Sequence, residues 1–216
     1  MRVETIGLAT LYHGRCEDVM PTLGEYHAIL TDPPYGTGWV RGGGAVGEFD
    51  AKHEKPDWDV FSIDWLTLAS HPMVIAAFCA PSYLHRMCAA FAAPCVARYK
   101  KTNVRPGGNE YEFIVCNARW RGGDWQVVAY NGDNEYHPTQ KPHRVMAWAV
   151  EHLPAAGTIL DPFMGSGSTG VACAEAGRRF IGIEQNAAYF YKAYMRIEKG
   201  FIYMTPSLII NGISHS

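Results

Sequence analysis

Short, continuous apolar runs alternate along the chain with stretches whose apolar positions recur at helical spacing. Strand-like runs fall at Tyr26–Thr31, Met73–Cys79, Cys95–Lys100, Tyr111–Asn117, Thr158–Asp161 and Phe180–Glu184. Most are apolar throughout rather than alternating, as expected of strands buried on both faces. Between them, Ser62 is placed to cap a helix running through Ala69. In Ser82–Ala92, Leu84, Met87, Cys88 and Phe91 keep a helical period. Pro142 suits the first turn of a helix to about Leu153, and Thr169–Ala176 stops at Gly177. Asn186 caps a helix through about Glu198. Strands alternating with helices predict an α/β fold, a largely buried sheet with helices on both faces.

Two stretches break this rhythm. Residues 37–60 are rich in glycine and charge and read as a mobile substrate loop. Arg119–Glu135 is a polar, glycine-containing connector. The tail from Gly200 to Ser216 is open between a last strand, a partner contact and a poorly ordered end. With 216 residues, 48% of them hydrophobic, a single domain over 1–216 is expected. The net charge of -2 excludes a globally basic nucleic-acid binder, so any phosphate contact must be local. None of the six cysteines has CxxC spacing, and the histidines show no metal pattern, so no metal site is expected. No signal peptide or membrane-length apolar run is apparent; a cytoplasmic protein is expected.

Candidate chemistry is concentrated in two turns. The first is Leu160-Asp161-Pro162-Phe163-Met164-Gly165-Ser166-Gly167-Ser168-Thr169-Gly170, between a strand and a helix. Its glycines allow close backbone approach to a ligand, and the helix start supplies unpaired N–H groups. Asp161, Pro162, Phe163, Gly165, Ser166, Gly167 and Thr169 are the candidate contacts. One strand later, Glu184, with Gln185 beside it, is placed to accept hydrogen bonds from ribose hydroxyls. The glycine spacing also matches the dinucleotide fingerprint, so a nicotinamide-dependent oxidoreductase is a rival. Against it, Asp161 would oppose a pyrophosphate but suits a cationic ligand, and little chain follows Glu184 to form a second nucleotide-binding half. S-adenosylmethionine, with a ribose, an ammonium, a sulfonium and no phosphate, fits better.

The second turn is Asp32-Pro33-Pro34-Tyr35. Consecutive prolines fix the backbone and remove two N–H donors, leaving a rigid corner that presents acceptors. The Asp32 carboxylate and the Pro33 carbonyl suit the two N–H bonds of an amino group, and Tyr35 offers a face for stacking. Converging acceptors stabilise the positive charge that develops when a conjugated amino nitrogen attacks a methyl donor. A base inside a duplex must be flipped out to reach such a corner.

These two turns, in this order, together with His137-Pro138-Thr139-Gln140-Lys141-Pro142 ahead of the glycine loop, resemble the amino-methyltransferases of DNA. The late glycine loop is similar to the circularly permuted β class, found in restriction-modification systems, solitary bacterial methylases and phages. The resemblance runs from about Leu11 to Ile197. It implies a Rossmann-like, mixed but mostly parallel seven-stranded sheet, with cofactor and base pockets side by side at the strand ends. It also implies that His137, Thr139, Gln140 and Lys141 serve the methionine end of S-adenosylmethionine, with Lys141 neutralising its carboxylate. Asp at residue 32 favours adenine N6 over cytosine N4 by resemblance. RNA and protein-glutamine methyltransferases use a similar corner. One departure stands out: Arg15 occupies a place where the family often has Asp. Glu17 or Asp18 substitutes for it, or backbone and packing hold the cofactor adenine.

For DNA, the stretch 98–135 reads as a reduced recognition region. Arg98, Lys100, Lys101 and Arg105 are the candidate phosphate contacts, with Tyr99 and Tyr111 interleaved. No large target-recognition segment is present, so short or relaxed specificity is expected, with a homodimer as one way to extend the contact.

Overall fold

The computed structural model describes residues 1–34, 62–70, 74–101, 110–118, 128–129 and 141–210. Its strands are β1 (Arg2–Ile6), β2 (Ala9–His13), β3 (Ala28–Thr31), β4 (Val74–Cys79), β5 (Cys95–Lys101), β6 (Tyr111–Cys116), β7 (Val128–Ala129), β8 (Thr158–Asp161) and β9 (Arg179–Glu184). The helices are α1 (Cys16–Val19), α2 (Leu84–Ala89), α3 (His143–His152), α4 (Ser168–Glu175) and α5 (Ala187–Ile210).

All these strands join one nine-stranded sheet of order β1-β2-β9-β8-β3-β4-β6-β5-β7. The central run from β2 to β4 is parallel throughout, and β1, β6 and β5 add antiparallel pairings at the flanks. The expected mixed, mostly parallel α/β sheet is therefore present, with two strands more than the resemblance implied. One is β1, which doubles back on β2 through a turn where Gly7 takes φ 54°. The other is β7, a two-residue strand inside the stretch read as a connector.

Alternate side chains of the central strands feed two cores. Leu11, Leu30, Phe78, Ile114, Ile159 and Phe180 pack toward α3, α4 and α5. Ile29, Ile75, Ala77, Val115, Leu160 and Ile183 pack on the other face with α1, Trp65 and Met87 of α2. β3 is buried at every position, which accounts for its unbroken apolar sequence.

The predicted helices keep their places with local corrections. Ser62 does cap, its Oγ accepting from the Asp64 N–H at 3.0 Å, but it opens a 3-10 stretch, Asp64–Leu68, rather than a helix to Ala69. Pro142 is the N-cap of α3, just before the first turn. Asn186 Oδ1 accepts from the N–H groups of Ala188 and Tyr189, at 2.9 and 3.1 Å. The helix it starts runs on to Ile210, so most of the tail is helical, and among the described residues no final strand forms.

Candidate active site

The parallel strands β3, β8 and β9 all end at one edge of the sheet, and that edge carries both turns. β3 leads into Asp32-Pro33-Pro34, β8 into the glycine loop, and β9 ends on Glu184. β3 and β8 are direct neighbours, with Ile29 opposite Leu160. The two turns are also joined by side chains. Thr31 donates its hydroxyl to Asp161 Oδ1 at 2.7 Å, Thr169 donates to Asp161 Oδ2 at 2.5 Å, and the Phe163 N–H donates to Oδ1 at 3.1 Å. Asp161 is 2% exposed. Burial lifts its pKa to about 6 against the pull of these hydrogen bonds, and the nearby Asp32 charge adds to the rise. The carboxylate expected to face a cationic ligand is thus a tie beneath the loop, fastening it to the acceptor corner.

The loop itself is shaped by its glycines. Gly165 and Gly167 take left-handed φ values of 52° and 83°, where a side chain is strained. A Cβ on Gly165 would meet no atom within 4 Å, so open space lies above it. Gly167 and Gly170 face inward instead: a Cβ there would sit 2.9 Å from Ala193 Cβ and 2.3 Å from Ile197 Cδ1. Those two glycines let α4 lie close against α5. Ser166 also turns inward, its carbonyl and hydroxyl accepting from Arg196 Nη1 at 2.5 and 2.9 Å. Arg196 escaped the sequence reading because nothing marks it out among the charged positions of a helix.

Glu184 accepts the Gly165 N–H on Oε2 at 3.0 Å and the Asn186 N–H on Oε1 at 2.7 Å. Burial raises its pKa above the usual carboxylate value. Each oxygen has a second lone pair, so the group is oriented and can still accept from a vicinal diol. His13 and Gly14 flank it: β2 ends with His13 opposite Glu184, and the Gly14 N–H donates to the Glu184 carbonyl. Arg15 lies at 3.5 Å from Glu17, and both are largely exposed. Pro162 is buried, Phe163 is half-buried against Trp65 at a ring distance of 5.9 Å, and Gln185 is exposed.

At the acceptor corner, Asp32 and Pro34 are half-buried and Pro33 is buried. Lys141 stands beside it rather than apart at the methionine end. Its ammonium lies 2.9 Å from Asp32 Oδ2 and 3.1 Å from Glu112 Oε2, and the side chain is 7% exposed. Burial alone would lower its pKa, but the two carboxylates outweigh that and raise it. Glu112, read from sequence only as a charge offsetting a basic patch, is the unforeseen member. Lys101 joins it from β5, 3.0 Å from Glu112 Oε1. The expected DNA contact Lys101 is therefore tied inward, whereas Arg98 and Lys100 are exposed on the other face of β5, beside the Tyr111 ring at 5.1 and 5.9 Å. Tyr35, Arg105, His137, Thr139, Gln140 and the 37–60 loop lie outside the described residues. Among the described residues, no group of His, Cys, Asp and Glu is gathered to hold a metal, and no helix is long and apolar enough to cross a membrane.

An α/β sheet with a glycine loop, a terminal glutamate and an acceptor corner at one edge defines a class: enzymes that set a ribose-bearing ligand beside an amino group. Residues 96–195 match the family model described as DNA methylase, of the N6/N4 type. Over 72 residues the chain is 44% identical to the Type II methyltransferase M2.LlaDCHI of Lactococcus lactis subsp. cremoris, a stretch covering 31% of this chain and 25% of the relative. The match thus spans about a quarter of that curated relative's length. Among solved structures, the M1.HpyAVI-SAM complex superposes with a TM-score of 0.67 at 23% identity, covering 87% of this chain and 99% of that one. PvuII DNA methyltransferase (cytosine-N4-specific) superposes with a TM-score of 0.61 at 12% identity, covering 93% of each. The fold is that of the S-adenosylmethionine-dependent DNA methyltransferases, and the chain is a relative of the DNA amino-methyltransferases.

Proposed function

We propose that this protein transfers a methyl group from S-adenosylmethionine to the exocyclic amino group of a flipped-out DNA base, adenine N6 in the first instance. The observation that carries the reading is the tie of Thr31 to Asp161, which sets the acceptor corner beside the glycine loop. The residues present fit the cofactor: Gly165 offers open backbone, Glu184 offers two oriented oxygens, and no phosphate-sized cluster of cations lies at the loop among the described residues. When bound, the cofactor supplies an electrophilic methyl on a sulfonium. Glu184 and the loop backbone hold its ribose. Phe163 and Pro162 shape the wall, and His137, Thr139, Gln140 and Gln185 complete the pocket.

The chain's part in the chemistry is orientation and charge. Asp32 and the Pro33 carbonyl each accept one N–H of the amino group, Pro34 keeps the corner rigid, and Tyr35 stacks on the base. As the nitrogen takes the methyl it becomes positive, and Asp32 stabilises that charge before the surplus proton leaves to water. Adenine is preferred to cytosine N4 because of Asp32, by resemblance alone; both bases present the same kind of amino group. Arg98 and Lys100, exposed on β5, serve the DNA backbone, and a second copy of the chain would extend that surface. Such an enzyme works in the cytoplasm, where the DNA is.

The test is incubation with isotopically labelled cofactor and unmethylated DNA, followed by nucleoside mass spectrometry. Labelled N6-methyladenosine is expected. Label in N4-methylcytosine would move the assignment to the other base, and no labelled nucleoside would refute the reading. A thermal shift separates the oxidoreductase rival, since ligands that bind the native state raise its melting temperature. S-adenosylhomocysteine should do so, and NAD should not.

A further inference from the structure

Behind Asp32 stands a chain of charges that the methyl-transfer chemistry does not itself require. Lys101, Glu112, Lys141 and Asp32 alternate in sign, with contacts of 3.0, 3.1 and 2.9 Å from one to the next. Tyr99, opposite Glu112 in the β5–β6 register and 1% exposed, donates its hydroxyl to the same Glu112 oxygen that meets Lys141. Lys141 also lies over the Phe78 ring at 5.4 Å. So Glu112 has a donor on each side and Lys141 a carboxylate on each side, all on rigid strands or at the start of α3.

We propose that Glu112 is a positioning residue for methyl transfer: it seats Lys141 against Asp32 and cancels the lysine's charge at the amino-group site. This rests on the reading of Asp32 as the amino-group acceptor. A lysine ammonium touching that carboxylate has two opposed effects. It orients the carboxylate, which helps, but its charge weakens the acceptor and repels a nitrogen that is becoming positive. Glu112 keeps the first effect and removes most of the second. Its own charge is secure: burial alone would raise its pKa, yet Lys141 and Lys101 hold it down at about 2. The ionisable groups facing this cluster are Cys79 from β4, Tyr99 and Lys101 from β5, Glu112 from β6 and Asp161 from β8. Cys79 and Tyr99 are pushed up by burial and stay neutral through the working range.

The experiment is the single-turnover methyl-transfer rate against pH for Glu112→Gln, Glu112→Asp and Lys101→Met, with cofactor binding measured in parallel. Glu112→Gln should slow transfer by roughly 10- to 100-fold while cofactor affinity stays within about twofold of the parent. Its acid limb should move to lower pH, because the uncompensated lysines stabilise the Asp32 carboxylate. Glu112→Asp should recover most of the rate. Lys101→Met leaves a surplus negative charge and should move the limb the opposite way, which keeps the proposal testable if Glu112→Gln does not fold. An unchanged rate in Glu112→Gln would overturn it. So would slow transfer with an unmoved limb and no recovery in Glu112→Asp, the mark of a purely structural residue, or an unmoved limb in Lys101→Met. Asp32→Asn, run alongside, separates the two levels. Full activity there removes the acceptor role of Asp32 itself, whereas loss there with an unmoved limb in Glu112→Gln removes only the role of Glu112.

Discussion

Thr31 and Asp161, 130 positions apart in the chain, share a buried hydrogen bond of 2.7 Å that joins the end of β3 to the end of β8. It fastens one motif of the site to the other, and it makes Asp161 a reporter of the site's integrity. The folded-state pKa of Asp161 is raised from 3.8 to about 6 by burial. The native protein therefore binds more protons than the unfolded chain between those values, and this group's contribution to stability falls as pH rises through that window. Glu112 acts in a separate window: its pKa is lowered to about 2, so its contribution is present above its ordinary value of 4.5 and lost below it. Denaturant unfolding of the parent and Asp161→Asn at several pH values isolates the first effect. The stability advantage of the parent should shrink between about pH 4 and 6 and level off above about pH 7. A pH-independent difference would show that Asp161 does not titrate in the fold.

The glycines of the loop should separate by what surrounds them. Gly170→Ala drives a methyl group into Ile197 and Phe180, at 2.3 and 2.8 Å, and should cost about 1–3 kcal/mol of stability. Gly165→Ala meets no neighbour but must hold φ 52°, at a cost of about 1 kcal/mol. Its larger effect should be on S-adenosylhomocysteine affinity, because the new methyl occupies the open space where the ligand approaches. Thermal melts and calorimetric titration check both. Equal loss of affinity in a folded Gly170→Ala would mean that the loop's inner and outer faces are not distinct.

Arg98 and Lys100 stand apart from Lys101 on the same strand. The first two are exposed, whereas Lys101 is committed to Glu112. Replacing Arg98 or Lys100 with Ala should weaken DNA binding across all sequences and reduce the slope of log affinity against log salt by about 1 for each phosphate no longer neutralised. Lys101→Ala should leave the slope unchanged. A change of slope in Lys101→Ala alone would place the DNA on the opposite face of β5.

Much of this was written in local pattern. Continuous apolar runs marked β3, β4 and β8 because those strands are covered on both sides, and consecutive prolines and spaced glycines marked the two turns because each needs a particular backbone. The edge strands were less legible. β1 is mostly exposed and carries little apolar signal, and β7 is two residues held by pairing alone. The length of α5 was hidden by Gly200, which reads as a helix stop; in the fold its missing side chain sets the helix close to Ala174. Glu112 and Lys141 could not be joined from sequence, since a buried ion pair between distant residues leaves no periodic trace. Each alone looks like a surface charge, and only the sheet order that brings β6 beside β4 reveals their meeting.

The central claim is that the Asp32 corner and the glycine loop are two halves of one reaction centre, one for the amino group and one for the methyl donor. It is tested most directly by methyl transfer to DNA from Asp32→Ala protein saturated with S-adenosylmethionine, alongside its dissociation constant for S-adenosylhomocysteine. Loss of a preorganised charge-stabilising group of this kind should slow transfer by about 100- to 1000-fold or more, with cofactor affinity unchanged. Transfer at the parent rate, or cofactor affinity lost together with activity, would show that Asp32 is not the acceptor of the amino group.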